Sequence, residues 1–474
     1  MIFGTFDFFI FLAAVVLLYW LLRPLSAIRK LFLLGVSIYY YWLIDSRFLG
    51  LLGLAAIIVY FAGILIQNAR QTFLKNIFCF AAIALNAGIL FWFKYYDFFR
   101  VAAQTFFASI GLPAVLPFWE IAFPVGVSFY VFRMMAYAID VRRGKYPAER
   151  SALDFAVYSF FFPYMLAGPI VRVDEFLPQL KNGGPKEARD ERVAAALFFF
   201  GLFKKIVISS WLAAVFVEDA FAVPEQFGAT GAWLAVLGYT LQIYCDFSGY
   251  SDIAIACAMF LGFEFSPNFL FPYRAVSLAD FWRRWHISFY SWMRDYVYIP
   301  LGGNRGGKIR SFANVITVFA LSGLWHGAAG HYLVWGLWHG LGLCFQRLWH
   351  GAAKAIRLPS LGGKSILNGL GWLATFLFVG AGWILFRSEN MDRVYAVLVS
   401  MSRFNVYMPV SLPLAITLAA IFLFVILEKE IFSFIIRIQK NLPFAAWLLM
   451  WVAAGLAIYR FAPDTVPPFI YFSF

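Results

Sequence analysis

Apolar runs separated by short polar stretches make up most of the chain. Examples are residues 9–22, 48–66, 77–93, 234–243, 367–385 and 412–427, several of which lie within longer apolar stretches. A helix needs about 20 apolar residues to cross the hydrocarbon layer of a bilayer, and on this criterion we count roughly a dozen candidate spans. The pattern predicts an all-α protein that crosses a membrane many times.

Two of the apolar stretches contain residues that interrupt a helix. SFFFPYMLAGPIVR (residues 159–172) contains two prolines and a glycine, and FSPNFLFPYR (residues 265–274) contains two further prolines. Broken backbone at membrane depth is tolerated only where it is buried in protein or lines a wet cavity. We therefore expect a re-entrant segment at 159–172 and a polar interior, within one integral membrane domain that covers residues 1–474.

The composition indicates that lipid surrounds much of the apolar surface of the protein. The chain is 63% hydrophobic and 13% charged, whereas soluble domains are about 45–50% apolar and about 25% charged. The four cysteines lie in apolar runs without the paired spacing of a zinc site, and we interpret them as buried free thiols. They are Cys79, Cys245, Cys257 and Cys344.

The formal net charge of +13 is concentrated in short loops. Basic residues cluster around 142–145, 181–192 and 437–440, whereas the loops around 218–225 and 389–392 are acidic. Because cytoplasmic loops carry the excess of Lys and Arg, we expect Lys186 and Lys440 to face the cytoplasm and Glu225 to face the exterior, with both termini outside. The charge thus reports topology and argues against a nucleic acid as partner.

The densest polar stretch is SLADFWRRWHISFYSWMRDYVYIPLGGNRGGKIR, residues 277–310. A helix over residues 278–298 would place aromatic rings among charged side chains, a pattern typical of an amphipathic helix at the membrane interface. His286 lies in the middle of that helix. The GGNRGGK that follows lacks the strand–loop–helix context of a phosphate loop, and we interpret it as a flexible basic turn.

Three of the five histidines lie in LSGLWHGAAGHYLVWGLWHG, residues 321–340. Their spacings of five and eight residues argue against a metal cluster, because a helix rotates side chains by about 100° per residue. We interpret His331, His339 and the nearby His350 as residues that hydrogen-bond across helices. His326 differs, because small residues surround it and leave room for a ligand. An ionisable group at membrane depth is a functional hypothesis in its own right.

Eight blocks of the chain form a recognisable series. They are PVGVSFYVFRMMAYAIDVRRG (124–144), FFPYMLAGPIVR (161–172), GLFKKIVIS (201–209), YCDFSGYSDIAIACAMFLGFEFSPNF (244–269), DFWRRWHISFYSWMRDYVYIPLGGNR (280–305), WHG (325–327), WGLWHG (335–340) and FIYFSF (469–474). Together they resemble the membrane-bound O-acyltransferase family, in particular the bacterial branch that modifies alginate and teichoic acid. Each block alone is weak, but their order and combined length make the resemblance specific. One departure is Gly330-His331, where relatives usually carry a Trp shortly after WHG.

The resemblance implies a ring of helices around a central tunnel. Its two catalytic histidines correspond to His326, deep in the tunnel and toward the outer half, and His286, nearer the cytoplasmic mouth. A neutral histidine can deprotonate the hydroxyl that attacks a thioester. Further substrate or tunnel positions, each of which could instead form a structural pair, are Trp325, Asn268, Asp246, Arg284, Arg294 and Asp295.

The resemblance also implies a donor and an acceptor. Acetyl-CoA, approaching from the cytoplasm, is the expected donor substrate, and an acylated carrier protein is the alternative. No bound cofactor and no metal are expected. The acceptor would be an extracytoplasmic glycan of the alginate, cellulose or peptidoglycan type, reached through a periplasmic SGNH-type acetyltransferase in a polysaccharide modification complex of the bacterial inner membrane.

Three alternatives remain open at this point. The chain could transfer D-alanine or another acyl group from a carrier protein. It could instead be a transporter that uses its broken helices as a substrate site, although no internal repeat is visible. A scaffold for polysaccharide secretion is the third alternative.

Overall fold

The computed structural model of the protein describes residues 3, 5–112, 115–119, 121–181, 185, 190–355, 364–403, 410–463 and 467–470. Over these residues the regular structure is helical and no strand forms, which confirms the all-α prediction. Two compact units are present, Met1–Glu191 with Ala254–Ser266 and Arg192–Ile253 with Pro267–Phe474. That the chain forms one integral membrane domain stays a prediction.

Helices α1 to α9 form the first unit, in which α3, α4 and α6 pack against one another. On α6, Arg133 is fully buried, and its guanidinium lies 4.5 Å from the centroid of the Tyr164 ring, where a cation–π contact replaces part of its lost hydration. The helices are α1 (Phe6–Leu21), α2 (Ser26–Asp45), α3 (Leu49–Asn68), α4 (Thr72–Leu90), α5 (Tyr96–Ser109), α6 (Val127–Arg142), α7 (Ala152–Phe160), α8 (Phe162–Met165) and α9 (Val173–Leu180).

The interruption predicted at 159–172 is confirmed. Helix α7 ends at Phe160, the four-residue α8 follows, and residues 166–172 are not helical. Pro163 lies in the first turn of α8, where its missing N–H costs no intrahelical bond. The segment is buried throughout, from Phe160 to Val171, as broken backbone in an apolar surrounding requires.

The second unit contains the remaining helices, and α13 continues from it into the first unit at residue 254. Turns of π-helix occur at Phe203–Ser209, Ala213–Val217 and Arg294–Tyr298. The helices are α10 (Glu191–Leu202), α11 (Ser210–Leu212), α12 (Glu218–Ala222), α13 (Gly228–Phe260), α14 (Leu278–Arg284), α15 (Ile287–Met293), α16 (Gly307–His326), α17 (Gly330–Ala355), α18 (Lys364–Arg387), α19 (Met391–Ser402), α20 (Leu412–Lys440) and α21 (Phe444–Phe461).

The prediction of a continuous helix over residues 278–298 is wrong. Helix α14 ends at Arg284, and α15 begins only at Ile287. Between them Trp285 is extended and His286 is left-handed, with φ +43°. A preceding loop takes up the freed backbone groups, because the Leu270 N–H donates to the Arg284 carbonyl at 2.9 Å. The break therefore depends on a distant segment that local patterning does not reveal.

Six helical stretches of the described residues are long and apolar enough to cross a membrane. This is fewer than the dozen candidate spans counted in the sequence. Run 234–243, for example, lies inside α13, whose buried residues include polar side chains. All four cysteines are free and buried, as predicted. The sidedness of Lys440 and Glu225 stays a prediction, and Lys186 lies outside the described residues.

Helices α16 and α17 cross at two glycines that bring their backbones into contact. A Cβ atom on Gly323 would lie 2.1 Å from the Tyr332 carbonyl oxygen, and one on Gly336 would lie 2.1 Å from the Phe319 carbonyl oxygen. Both distances are far below van der Waals contact, so only glycine permits this crossing. Small residues at such crossings are typical of helices that associate in membranes.

We predict that Gly323→Ala and Gly336→Ala each push α16 and α17 apart and lower the apparent melting temperature in detergent by several degrees. The reason is overpacking against backbone atoms, which typically costs about 1–3 kcal/mol. Gly330→Ala is the matched control, since a Cβ there would meet nothing within 4 Å. Melting curves in which all three variants coincide would show that the crossing tolerates a methyl group.

Candidate active site

His326 is the last residue of α16 and is buried among aromatic rings. Its ring centroid lies 4.9 Å from that of Trp335, 5.0 Å from that of Phe386 and 5.7 Å from that of Phe289. The carbonyl groups at the C-terminus of a helix carry partial negative charge, which favours a cation at that end. The position therefore suits a histidine that takes up a proton during a reaction.

Packing explains why a glycine follows His326. Gly327 has an extended backbone that any residue can adopt, but a Cβ atom there would lie 2.0 Å from the ring of Tyr332. Tyr332 stands on α17 and its ring also contacts Phe386, a neighbour of His326. The WHG sequence thus ends α16 against the first turn of α17 and fixes where the imidazole lies.

His286 occupies the break between α14 and α15 and is almost completely buried. Its ring lies 4.6 Å from that of Phe247, 5.1 Å from that of Phe289 and 6.2 Å from that of Trp325. A left-handed backbone is uncommon for a residue with a side chain and costs of order 1–3 kcal/mol. Strain of this kind is often found at functional sites.

The two histidines share aromatic neighbours. Phe289 contacts both imidazole rings, and so does Trp325, which also stacks on Phe289 with centroids 4.3 Å apart. The structure thus brings His286 and His326, predicted from distant parts of the sequence, into one aromatic cluster. That Trp325 lines a substrate path stays a prediction.

Asn268 contacts His286 directly, with its Oδ1 3.2 Å from Nδ1 of the imidazole. The other predicted helpers form ion pairs. Asp246 pairs with the buried Lys205. Arg284 Nε lies 3.0 Å from Asp280 Oδ2, and Arg294 Nε lies 2.7 Å from Asp295 Oδ1. Their substrate roles stay predictions.

A cavity of about 230 Å³ adjoins this cluster. Phe289, which contacts both histidines, forms part of its wall, and Arg294 also lines it. A wider pocket of about 730 Å³ shares Asn304 and Arg347 with the cavity and adds Lys308. The cavity beside the cluster and the basic pocket thus share part of their lining. Other residues around the smaller cavity are Trp282, Met293, Phe319, Ser322 and Leu343.

The other three histidines behave differently from one another. Nδ1 of His331 lies 2.9 Å from the carbonyl oxygen of Leu385, which confirms its predicted bond across helices. The prediction for His350 is wrong, since it is exposed and bonds the carbonyl of Gln346 on its own helix instead of a group on another helix. The prediction for His339 is wrong, since neither ring nitrogen has a hydrogen-bond partner among the described residues.

The surroundings of His339 explain this outcome. Its ring lies 5.0 Å from those of Trp282 and Trp335, and a Cβ atom on Gly382 would lie 2.8 Å from its Nε2. The helix that faces it therefore offers a backbone without a side chain. Burying a neutral imidazole in this way costs free energy, but far less than burying a charge would.

A buried ionic cluster beside the site was not predicted. Lys204 Nζ lies 2.6 Å from Asp252 Oδ2 and 2.7 Å from Glu428 Oε1, and the Tyr244 hydroxyl donates to the same glutamate. The available signal was two adjacent lysines inside the apolar run GLFKKIVIS. Charges buried there require carboxylate partners.

Asp246 connects the neighbouring Lys205 to the end of the chain. Its Oδ2 accepts a hydrogen bond from the Ile470 N–H at 2.9 Å, and Lys205 Nζ donates to the Pro467 carbonyl at 3.2 Å. Phe469, between these anchor points, is fully buried and its ring lies 5.3 Å from that of Phe247, a neighbour of His286. The ion pair thus holds residues 467–470 beside the cluster.

Residues 141–386 match the model of the membrane-bound O-acyltransferase family, a range that includes both histidines and Asn268. The chain belongs to this family. It is therefore an O-acyltransferase that resides in a membrane, which decides against the transporter and scaffold alternatives.

Three relatives illustrate the range of the family. A probable alginate O-acetylase of Azotobacter vinelandii is 38% identical over 83% of this chain and 76% of its own length. A peptidoglycan O-acetyltransferase of Helicobacter pylori is 31% identical over 79% of this chain and 74% of its own length. A teichoic acid D-alanyltransferase of Bacillus subtilis is 27% identical over 56% of this chain and 69% of its own length.

We predict that Asp246→Asn lowers the free energy of unfolding by about 3–5 kcal/mol, because it leaves Lys205 buried without a carboxylate. Unfolding in mixed detergent micelles, followed by tryptophan fluorescence, measures the loss. The control is Glu430→Gln, which breaks the exposed pair with Arg274 and should cost about 0.2–1 kcal/mol.

The double variant Lys205→Met with Asp246→Leu removes both charges and should recover part of the stability lost in Asp246→Asn. An equal effect of Asp246→Asn and Glu430→Gln would contradict a structural role for the buried pair.

Proposed function

We propose that this chain moves an acetyl group from acetyl-CoA, supplied on the cytoplasmic side of the bacterial inner membrane, for O-acetylation of an exported glycan of the alginate type. The observation that carries the proposal is the joining of His286 and His326 in one aromatic cluster, beside a cavity that shares lining residues with a basic pocket. Acetyl transfer is favoured by the relatives, since the alginate O-acetylase is 38% identical and the D-alanyltransferase 27%.

His326 is the proposed general base. Its neutral imidazole takes the proton of the acceptor hydroxyl while the oxygen attacks the thioester carbonyl carbon. A C–O bond forms, the C–S bond breaks, and the leaving thiolate takes the proton from the imidazolium. The aromatic surroundings keep water away from the thioester, so that hydrolysis does not compete.

His286 is the proposed partner that orients the donor. His286 contacts the ring of Phe289, which also contacts His326 and forms part of the cavity wall. An acetyl thioester in the cavity would meet a wall that includes Phe289, the ring that contacts both histidines.

The basic pocket is the proposed binding place for the phosphates of CoA. Arg347 lines both the wide pocket and the narrow cavity, and its Nη1 donates to Ser311 Oγ at 3.1 Å. Lys308 adds a second positive charge at the entrance. Charge-assisted bonds from Arg and Lys are the usual way to hold phosphate groups. The expected position of basic loops on the cytoplasmic side agrees with a cytoplasmic donor.

Transfer to the sugar would be completed by a separate periplasmic acetyltransferase of the SGNH type, in a polysaccharide modification complex. A carrier-fed transfer of D-alanine is the second candidate, supported by the likeness to teichoic acid D-alanyltransferases over about half of the chain. Release of free thiol from acetyl-CoA by the purified protein and its partner supports the first candidate, and release only from a charged carrier protein supports the second.

We predict that His326→Ala abolishes O-acetylation of the exported glycan while the protein accumulates in the membrane at the normal level. The reason is the loss of the general base, a contribution typically worth 10²–10⁴-fold. The measurement is the acetyl content of the exopolysaccharide from a deletion strain complemented with each variant. His286→Ala should lose most of the activity in the same assay.

The matched control is His350→Ala, because His350 is exposed and bonds only its own helix among the described contacts. It should acetylate as the wild type does. A normally acetylated glycan in the His326→Ala strain, or an unacetylated one in the His350→Ala strain, would place the active centre elsewhere.

We predict that Arg347→Gln raises the KM for acetyl-CoA about tenfold, the equivalent of one charge-assisted hydrogen bond, with little change in kcat. Acetyl-pantetheine, which lacks the phosphates, should show no such difference between wild type and variant. Arg283→Gln is the control, because the Arg283 side chain is exposed and, within the described part of the chain, its ion pair is with Asp280 at 3.5 Å. Equal KM changes for both donors would mean that Arg347 does not contact phosphate.

A further inference from the structure

Asn268 is joined to the loop that carries His286 by bonds from both its backbone and its side chain. Its carbonyl oxygen accepts from the Ile287 N–H at 2.9 Å. Its side-chain Oδ1 lies 3.2 Å from the Ser288 backbone nitrogen, 2.9 Å from Ser288 Oγ and 3.2 Å from His286 Nδ1. Its Nδ2 donates to Ser251 Oγ at 3.1 Å. The residue is buried, so these protein contacts decide how its amide is oriented.

The neighbours of the amide fix which end is the oxygen. The backbone N–H of Ser288 can only donate, so the atom that faces it must be an acceptor. Exchange of Oδ1 and Nδ2 would place two donors against each other, N–H against NH₂. The Ser251 hydroxyl can accept from Nδ2, whereas the reversed amide would require it to donate. The observed orientation is therefore the one in which every partner is complementary.

This orientation determines the protonation of the imidazole. An amide oxygen accepts hydrogen bonds and cannot donate one, so Nδ1 of His286 must carry a hydrogen. A neutral imidazole has a single N–H, and its other nitrogen, Nε2, then holds the lone pair. Which nitrogen is protonated is commonly set in this way, by the hydrogen bond that the ring makes on its far side.

We propose that Asn268 is a positioning residue that holds His286 as the Nδ1–H tautomer and so directs the lone pair of Nε2 to acyl transfer. The inference rests on the proposed function for its catalytic meaning, but the tautomer itself follows from the contacts of Asn268. The backbone supports the assignment. His286 has φ +43°, and the bond from Ile287 to the Asn268 carbonyl fixes the residue that follows this strained position.

The backbone bond also makes the proposal testable by substitution. Any residue at position 268 keeps a carbonyl, so the link to Ile287 survives and the loop retains its support. Asn268→Leu has nearly the same size and removes the side-chain acceptor together with the Nδ2 donor that bonds Ser251. Asn268→Asp keeps an oxygen that faces Nδ1. Ser288→Ala removes a competing hydroxyl from the same oxygen and leaves the contact with His286 intact, so it serves as the structural control.

The tautomer is measured by NMR with ¹⁵N-labelled imidazole rings in lipid nanodiscs at neutral pH. The chain has only five histidines, and the spectrum of His286→Gln identifies the signals of this ring. We expect a protonated Nδ1 and an unprotonated Nε2 in the wild type and in Ser288→Ala. Nδ1 should remain protonated in Asn268→Asp, whereas Asn268→Leu should show a mixture of tautomers. The acetyl-transfer rate of Asn268→Leu should fall roughly two- to tenfold, in proportion to the fraction of His286 rings that lose the Nδ1–H tautomer.

The possible failures are distinguishable. An unprotonated Nδ1 in the wild type, or an Asn268→Leu spectrum identical to that of the wild type, overturns the role of Asn268 whatever the activity. If Asn268→Leu does not fold, the wild-type and Asn268→Asp spectra still decide the tautomer. Full activity of His286→Gln would instead overturn the part given to His286 in acyl transfer, and with it the catalytic meaning of the tautomer.

Discussion

The backbone contact between α16 and α17 fixes where Trp335 lies beside His326. Because Gly323 and Gly336 let the two helices touch, Trp335 on α17 lies edge-on to the imidazole with ring centroids 4.9 Å apart. Helices in a bilayer gain little from burying apolar surface against one another, since lipid is equally apolar, so close packing must supply the attraction. A wider crossing would loosen the aromatic wall around His326 at the same time as it weakened the helix pair.

A second constraint is that charged side chains buried in the interior of the second unit need partners of opposite charge. Lys204 and Lys205 are buried and each has carboxylate partners, which are Asp252 and Glu428 for the first and Asp246 for the second. The histidines follow another rule, because a neutral ring can be buried among aromatic groups at a much smaller cost than a cation. The interior thus separates structural charges, which are paired with opposite charges, from the imidazole rings, which lie among aromatic groups.

Sequence patterns indicated the parts of the candidate site that depend on local features, although its substrate roles stay predictions. His326 was recognisable from its small neighbours and the WHG block, and the prolines marked the broken segment that ends α7. The break at His286 was not predictable in this way. The local pattern favours a helix through residue 286, and the bonds that stabilise the break come from Asn268, which is 18 residues away along the chain.

Partners at still greater separation were also missed. One of the two carboxylates that face Lys204 belongs to Glu428, 224 residues later, and no spacing rule connects the two residues. The prediction for His339 was wrong for the opposite reason. A hydrogen-bond partner was expected on the facing helix, but the residue there is Gly382, which has no side chain. Hydrophobic periodicity reports which residues are buried, but it does not report what they face.

The surroundings of the two histidines give them different abilities under the proposed function. His326 lies at the C-terminus of a helix, where the backbone carbonyls favour a positive charge, so it is the better of the two at accepting a proton. Its ring is also packed against Trp335 and Phe386, and an aromatic cluster solvates a cation poorly. The imidazolium should therefore be short-lived and pass its proton to the leaving thiolate within the same turnover. His286, with Nδ1 turned toward Asn268, is suited to hold a donor group in place rather than to store a proton.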